Sequence, residues 1–224
     1  KNMTNLQKRI LTSIIILPLS FFFIIKGGYF LVFFLLSVFF VTNYELFSVF
    51  NKKETILFLD LILIFSLFSI YYLADDPIRF YLLLWVIILV ICSDVGGYVF
   101  GKIFKWKKLT KISPKKTLSG VFGSFVFSLF SLFIANSILP TISSAFKEIS
   151  SLINFLEPKF FFLAIILSLI AQIGDLTISY FKRIEKIKDA GKILPGHGGI
   201  LDRIDGLMFA VIAIFILIQI NIIP

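Results

Sequence analysis

Between Phe80 and Tyr98 the chain reads FYLLLWVIILVICSDVGGY, an unbroken apolar run to Cys92 that meets Ser93, Asp94, Gly96 and Gly97 at its end. As a helix this stretch is about 28 Å long, close to the thickness of a bilayer's hydrocarbon core. A helix in a soluble core needs only one apolar stripe, whereas one in lipid is apolar all round. The stretch therefore sets the expected fold class, an all-α, polytopic integral membrane helix bundle. It also leaves an aspartate where ionised groups are costly and point to function by default.

Moving outward, six further segments share this character: Ile10–Ile25, Tyr29–Phe47, Ile56–Leu73, Leu118–Leu139, Phe160–Ile178 and Leu207–Ile223. About seven transmembrane helices are expected. The composition agrees, since 58% of the 224 residues are hydrophobic and 16% charged, with a mean hydropathy of +1.00. Soluble domains are roughly half apolar and a quarter charged. Lys8 and Arg9 before the first segment imitate a signal peptide, but no small-residue cleavage site follows, so an uncleaved helix is expected.

With a cytoplasmic N-terminus and alternating spans, 18 of the 22 basic residues fall inside, and Lys26, Arg79, Lys147 and Lys159 fall outside. That is the positive-inside pattern, and the net charge of +9 calls for no nucleic-acid partner. The stretch Ile142–Leu156 has apolar residues at helical spacing and either lies flat in the outer interface or packs on the bundle. The single cysteine, Cys92, excludes an intramolecular disulfide and a thiolate metal cluster.

Four carboxylates fall within these segments. Glu45 sits near the inner end of the second, where an interfacial position suffices; Asp60, one turn into the third, has no polar neighbours in sequence. Asp175 differs. Gln172, Asp175, Ser179, Lys182 and Lys186 share one helical face that climbs out of an apolar span into cations. An interhelical hydrogen-bond seam is the other reading of that stripe. Asp94 shares a face with Gly97, Tyr98 and Gly101, which lets backbone approach a carboxylate or simply packs helices closely. Downstream, Pro114 can start a helix where Lys115, Lys116 and Thr117 precede the fifth span. Those residues either hold a phosphate at a helix N-terminus or anchor lipid headgroups.

Before the last span stands LPGHGGILDRIDG, Leu194–Gly206, with the only histidine, His197. Asp202 and Asp205 are three apart and point the same way on a helix. Glycines around His197 leave main-chain amides open to an anion. Carboxylates for a divalent ion, glycines for a phosphate and cations to neutralise it are the recurring parts of phosphoryl and nucleotidyl transfer. Oxygen donors favour Mg²⁺ over zinc. The residues alone thus reach a membrane-embedded enzyme handling phosphates at the cytoplasmic face, without a substrate.

The run Ser179–Asp205 resembles the signature of the phosphatidate cytidylyltransferase (CDP-diacylglycerol synthase) family. Ser179, Lys182, Arg183, Lys188, Asp189, Gly191, Pro195, His197, Gly198, Gly199, Asp202, Arg203 and Asp205 stand at the family's spacing. Upstream, QIGDLTIS (Gln172–Ser179), SDVGGYVFGKIF (Ser93–Phe104) and SPKKT (Ser113–Thr117) are similar to its other motifs. The glutamates that members often carry before the signature serine and after Lys-Lys-Thr are replaced here by Ile178 and by Leu118-Ser119-Gly120. Similarity covers about Ser93–Gly206. One membrane domain, 1–224, is therefore expected, with an N-terminal spanning region (1–92) and a catalytic half (93–224).

The resemblance implies transfer of CMP from CTP to phosphatidate, giving CDP-diacylglycerol and pyrophosphate for phospholipid biosynthesis. It implies Asp175, Asp202 and Asp205 as Mg²⁺ ligands, with Asp205 supporting the site or holding a second cation. Lys182, Arg183 and Arg203 would neutralise triphosphate or lipid phosphate, and His197, Gly198 and Gly199 would shape the phosphate turn. Ser179, Lys115, Lys116, Thr117, Lys188, Asp189 and Asp94 would bind substrate. The implied setting is a bacterial inner membrane, with the site facing the cytoplasm. Two rivals differ in kind: a CTP-dependent polyisoprenoid kinase, which has no reason to carry this signature, and a cation transporter using Asp60, Asp94 and Asp175. A homodimer through small-residue pairs such as Gly120 and Ser124 fits the sequence as well as intramolecular packing by the same pairs.

Overall fold

The computed structural model describes residues 5–110, 113, 116–187, 189–191, 193 and 198–223. Within them run eight helices: α1 (Asn5–Lys26), α2 (Gly28–Val49), α3 (Lys53–Ala74), α4 (Pro77–Phe104), α5 (Leu118–Ile142), α6 (Ser144–Leu152), α7 (Pro158–Ile184) and α8 (Leu201–Gln219). Among the described residues no strand forms, and one isolated bridge joins Lys108 to Thr117. The long helices coincide with the seven apolar segments. Five of them, α2, α3, α4, α5 and α7, are long and apolar enough to cross a membrane, which makes the chain an integral membrane protein. α1 contributes a shorter apolar stretch, Ile14–Lys26, and α8 begins with Asp202, Arg203 and Asp205.

Local chemistry sets the helix boundaries. Asp76 Oδ1 accepts from the amides of Ile78 and Arg79 at 2.9 and 3.0 Å, and Pro77 occupies the first helical position of α4, where no amide is needed. α4 stops where Lys105 turns to a positive φ of 48°. Thr117 Oγ1 accepts from Gly120 N at 3.1 Å to open α5, and Ser143 Oγ accepts from Phe146 N at 3.1 Å to open α6. α6 packs on the bundle: Phe146 and Ile149 are buried, and the Phe146 ring meets Phe80 and Tyr81 at 5.8 and 5.4 Å.

Apolar surfaces gain little by meeting one another in lipid, so association there relies on close approach and interhelical hydrogen bonds. α4 and α5 meet backbone to backbone, since a Cβ on Gly120 would lie 2.9 Å from Gly97 O and one on Gly96 would collide with Gly123 O. Ser124 Oγ donates to Ser93 O at 2.8 Å, and the Ser93 and Ser168 hydroxyls pair at 2.8 Å, tying α4, α5 and α7 together. Gly120 and Ser124 are thus used inside the chain. Phe33, Phe40, Phe130 and Phe162 lie more than half exposed, as suits side chains in contact with lipid.

Two apolar cores result. The first surrounds α4 with Tyr81, Trp85, Phe155 and Phe160; the second joins α2 and α3 to the end of α7 and the start of α8 through Leu46, Phe50, Leu59, Ile178, Leu201 and Met208. Antiparallel alternation brings the ends of α2, α4 and α7 to the same end of the bundle as the starts of α3, α5 and α8. The first-turn amides of α5 and α8 therefore open on the region that holds Asp94, Asp175 and Asp202.

Candidate active site

At that end a cavity of about 300 Å³ is lined by Asp94 and Tyr98 of α4, Lys116 and Thr117 before α5, Ser124 of α5, and Gln172 and Asp175 of α7. Lys116 reaches it because the segment after α4 folds back on itself. Leu109 N donates to Lys116 O at 2.8 Å, Lys116 N to Ser113 O at 3.0 Å and Leu118 N to Lys107 O at 3.0 Å. Lys116 Nζ then meets Asp175 Oδ2 at 2.5 Å, while Ser179 Oγ, one turn on, donates to Asp175 Oδ1 at 3.4 Å. On the membrane side, Gln172 Nε2 donates to Ser168 Oγ at 3.3 Å, so the cavity floor is continuous with the serine seam. The α7 stripe thus runs from the Ser93–Ser168 pair up to the contact of Asp175 with Lys116.

A second pair lies about two turns further along α7 than Asp175. Lys182, 7% exposed, donates through Nζ to Asp202 Oδ1 at 2.6 Å. Asp202 Oδ2 accepts from Ala190 N at 2.8 Å and Gly199 N at 3.3 Å. Asp202 thus ties α7 through Oδ1 and Ala190 and Gly199 through Oδ2. Asp205, one turn further, accepts from Gly206 N at 2.8 Å through Oδ1. The charges of Asp94, Asp175 and Asp205 act on one another, with Lys116 and Arg203 close to Asp94 and Lys182 close to Asp205.

The structure therefore brings Asp94, Lys116, Thr117, Asp175 and Ser179 together, with Lys182, Asp202, Asp205 and Arg203 next to them. Arg183 lies toward the exposed side, its guanidinium donating to Ile187 O at 2.9 Å. Asp189 lines a separate cavity of about 640 Å³ with Tyr44, Glu45 and Gly191. Gly198 takes a positive φ of 89°, a conformation suited to glycine. Lys115, Lys188 and His197 lie outside the described residues. Asp60 is not among the residues lining either cavity.

For a divalent ion the donor chemistry is suitable, since carboxylate oxygens are the hard ligands Mg²⁺ takes. Among the described residues no three His, Cys, Asp or Glu side chains converge on one point. The expected trio is divided, with Asp202 saturated by Lys182 and two amides. Asp94 and Asp175 face the cavity, with Asp205 adjacent, and the Lys116 ammonium stands on Asp175 as a cation would.

Sequence reasoning missed Glu45. Its carboxylate is 1% exposed and accepts from the amides of Ile200 and Leu201 at 2.8 and 3.3 Å. The one signal was an acid inside an apolar run, with nothing to indicate its distant partners.

A sequence model of the cytidylyltransferase family matches residues 55–221, most of the chain. Several relatives carry the name phosphatidate cytidylyltransferase. The one from Rickettsia conorii is 32% identical over 224 residues, covering 97% of this chain and 93% of that protein. The one from Staphylococcus epidermidis is 36% identical over 154 residues, covering 65% of this chain and 55% of that protein. The one from Helicobacter pylori is 35% identical over 136 residues, covering 61% of this chain and 46% of that protein. The match thus spans about half the length of the staphylococcal and Helicobacter relatives. The chain belongs to the cytidylyltransferase family.

Proposed function

We propose that this member of the cytidylyltransferase family is a phosphatidate cytidylyltransferase, moving CMP from CTP to phosphatidate in phospholipid synthesis. The observation that carries the reading is the cavity where Asp94, Lys116, Thr117 and Asp175 face one another, with the Lys182–Asp202 pair further along α7. An oxygen of the phosphatidate phosphate attacks the α-phosphorus of CTP. The bond from that phosphorus to the pyrophosphate oxygen breaks, and pyrophosphate leaves with the electron pair. The attacking phosphate is already anionic near neutral pH, so no general base is required. The obstacle is to bring two anions together, which is a matter of positioning and charge.

Lys116 meets that obstacle at the start of α5, exchanging its contact with Asp175 for a phosphate oxygen. Lys182, held by Asp202, adds fixed positive charge, and Arg183 and Arg203 extend it toward the exposed side. Lys115, Lys188 and His197 join in phosphate binding, as the resemblance implies. Ser179 steadies Asp175 by donating its hydroxyl to the carboxylate. Asp175 and Asp205 would hold Mg²⁺, which would supply positive charge against the triphosphate. The seven apolar helices span the bacterial inner membrane, with the N-terminus and the site on the cytoplasmic side, in keeping with the distribution of basic residues.

The test is reconstitution of the protein with labelled CTP, phosphatidate and Mg²⁺. Labelled CDP-diacylglycerol and equimolar pyrophosphate are expected. Pyrophosphate without a CDP-lipid, or phosphorylation of a polyisoprenoid alcohol instead, would overturn the reading.

A further inference from the structure

Glu45 stands ten residues before the part of the chain that matches the family and outside every motif described above. A carboxylate buried at a helix end inside an apolar bundle persists only where hydrogen-bond donors hold it. Here the donors are the amides of Ile200 and Leu201, where α8 begins, 155 and 156 residues further along the chain. Glu45 therefore does for α8 what Asp76 does for α4, from a different helix: it places a negative charge on otherwise unpaired first-turn amides.

The segment around it is shaped to fit. A Cβ on Gly199 would lie 2.8 Å from Glu45 Oε2, and one on Gly191 would collide with Oε1. Gly191 is thus fitted to an internal anion, and Gly199 to that anion and to the Gly191 backbone, 2.8 Å from where its Cβ would lie. Gly199 also donates its amide to Asp202, so one short stretch of backbone is gripped by two carboxylates, Glu45 from α2 and Asp202 from α8.

We infer that Glu45 is a positioning residue for the reaction. It docks Gly191, Gly199 and the first turn of α8 onto α2, and so fixes where Asp202 and Asp205 stand relative to the cavity. The inference rests on reading that cavity as the active site, and it gives the N-terminal region a part in the chemistry. Glu45 touches no reacting atom; it acts through α8.

The experiment compares the full-length protein with E45Q, E45A, G191A and E45A/G191A, with kinetics normalised to folded, monodisperse protein. A shift of about 1 Å in catalytic geometry costs on the order of 100-fold in rate. E45A is therefore expected to lose about 100-fold in kcat and E45Q about tenfold, with KM for CTP within about threefold of wild type. G191A alone should lower kcat, yet add nothing in the E45A background, where the space it needs is free. Trypsin should cut E45A at Arg183 and Lys186 at least about tenfold faster than wild type, as an undocked segment opens locally.

Wild-type kcat in both E45Q and E45A, additive losses in the double variant, or unchanged cleavage would each overturn the inference. If E45A fails to fold, E45Q and G191A decide on the same readouts. If wild type forms no CDP-lipid, the proposed function fails, while the cleavage rates still judge the docking role of Glu45.

Discussion

The pairs Lys116–Asp175 and Lys182–Asp202 are alike in chemistry and length, at 2.5 and 2.6 Å, and unlike in their surroundings. The side chains of the first are 25% and 34% exposed at the edge of a cavity; those of the second are 9% and 10% exposed. Asp202 has its second oxygen filled by two amides, whereas Asp175 has only the Ser179 hydroxyl at 3.4 Å. One region is closed on itself and holds a shape. The other borders a cavity, where Lys116 Nζ, itself buried, meets Asp175. Residues that the resemblance assigns to one reaction thus divide into a brace and a cavity lining, and side-chain burial draws the line between them.

The strongest way to break this comparison is Lys182→Met. It strands the buried carboxylate of Asp202, which is expected to cost about 3–5 kcal/mol and to lower the unfolding midpoint in detergent sharply. The double replacement K182M/D202L should recover much of that stability and none of the turnover, because apolar residues can replace a buried pair structurally. An unchanged midpoint in K182M would show that the brace holds nothing.

Asp175→Asn tests the cavity lining. The pair is only part-exposed and Lys116 Nζ is itself buried, so the midpoint is expected to fall, but less than in K182M. Turnover should fall by about 100-fold or more, the scale seen when a charge-stabilising group is lost from an active site. Equal losses of stability in D175N and K182M would merge the two regions into one. Lys116→Met comes next. Loss of a charge-assisted contact to phosphate, about 1.5–3 kcal/mol, should raise KM for one phosphate substrate by roughly 10- to 100-fold. The substrate whose KM rises identifies the phosphate that Lys116 meets.

The division between brace and cavity lining was only partly legible in the sequence, for physical reasons. The helices were legible because lipid demands apolar residues on every side, and that demand leaves long uninterrupted runs such as Phe80–Cys92. The placement of α6 was open, because one amphipathic face serves a membrane surface and a bundle surface equally. Asp94 and Asp175 were legible as carboxylates in costly positions, and Lys116 and Thr117 as a cation and a hydroxyl just before the fifth span. The partner of Asp202 was not, since Lys182 lies on another helix and periodicity carries no information across a loop. Glu45 was hidden for the same reason: an acid near the end of a span reads alike whether it meets water or the amides of α8.

Thr117 sharpens the comparison at its smallest scale. Sequence reading made it a substrate ligand; the structure shows its hydroxyl accepting from Gly120 N at 3.1 Å and pairing with Ser119 Oγ at 2.9 Å. It caps the helix from whose start Lys116 reaches Asp175. Thr117→Ser keeps the hydroxyl and should behave as wild type. Thr117→Ala removes the cap, which is expected to cost about 1 kcal/mol of stability. If the cavity lining works through a well-set helix start, T117A should also raise KM for the substrate that responds to K116M, and for that substrate alone. A KM change for the other substrate would mean that Thr117 binds it directly, and the cap would then be secondary to a contact made only with ligand present.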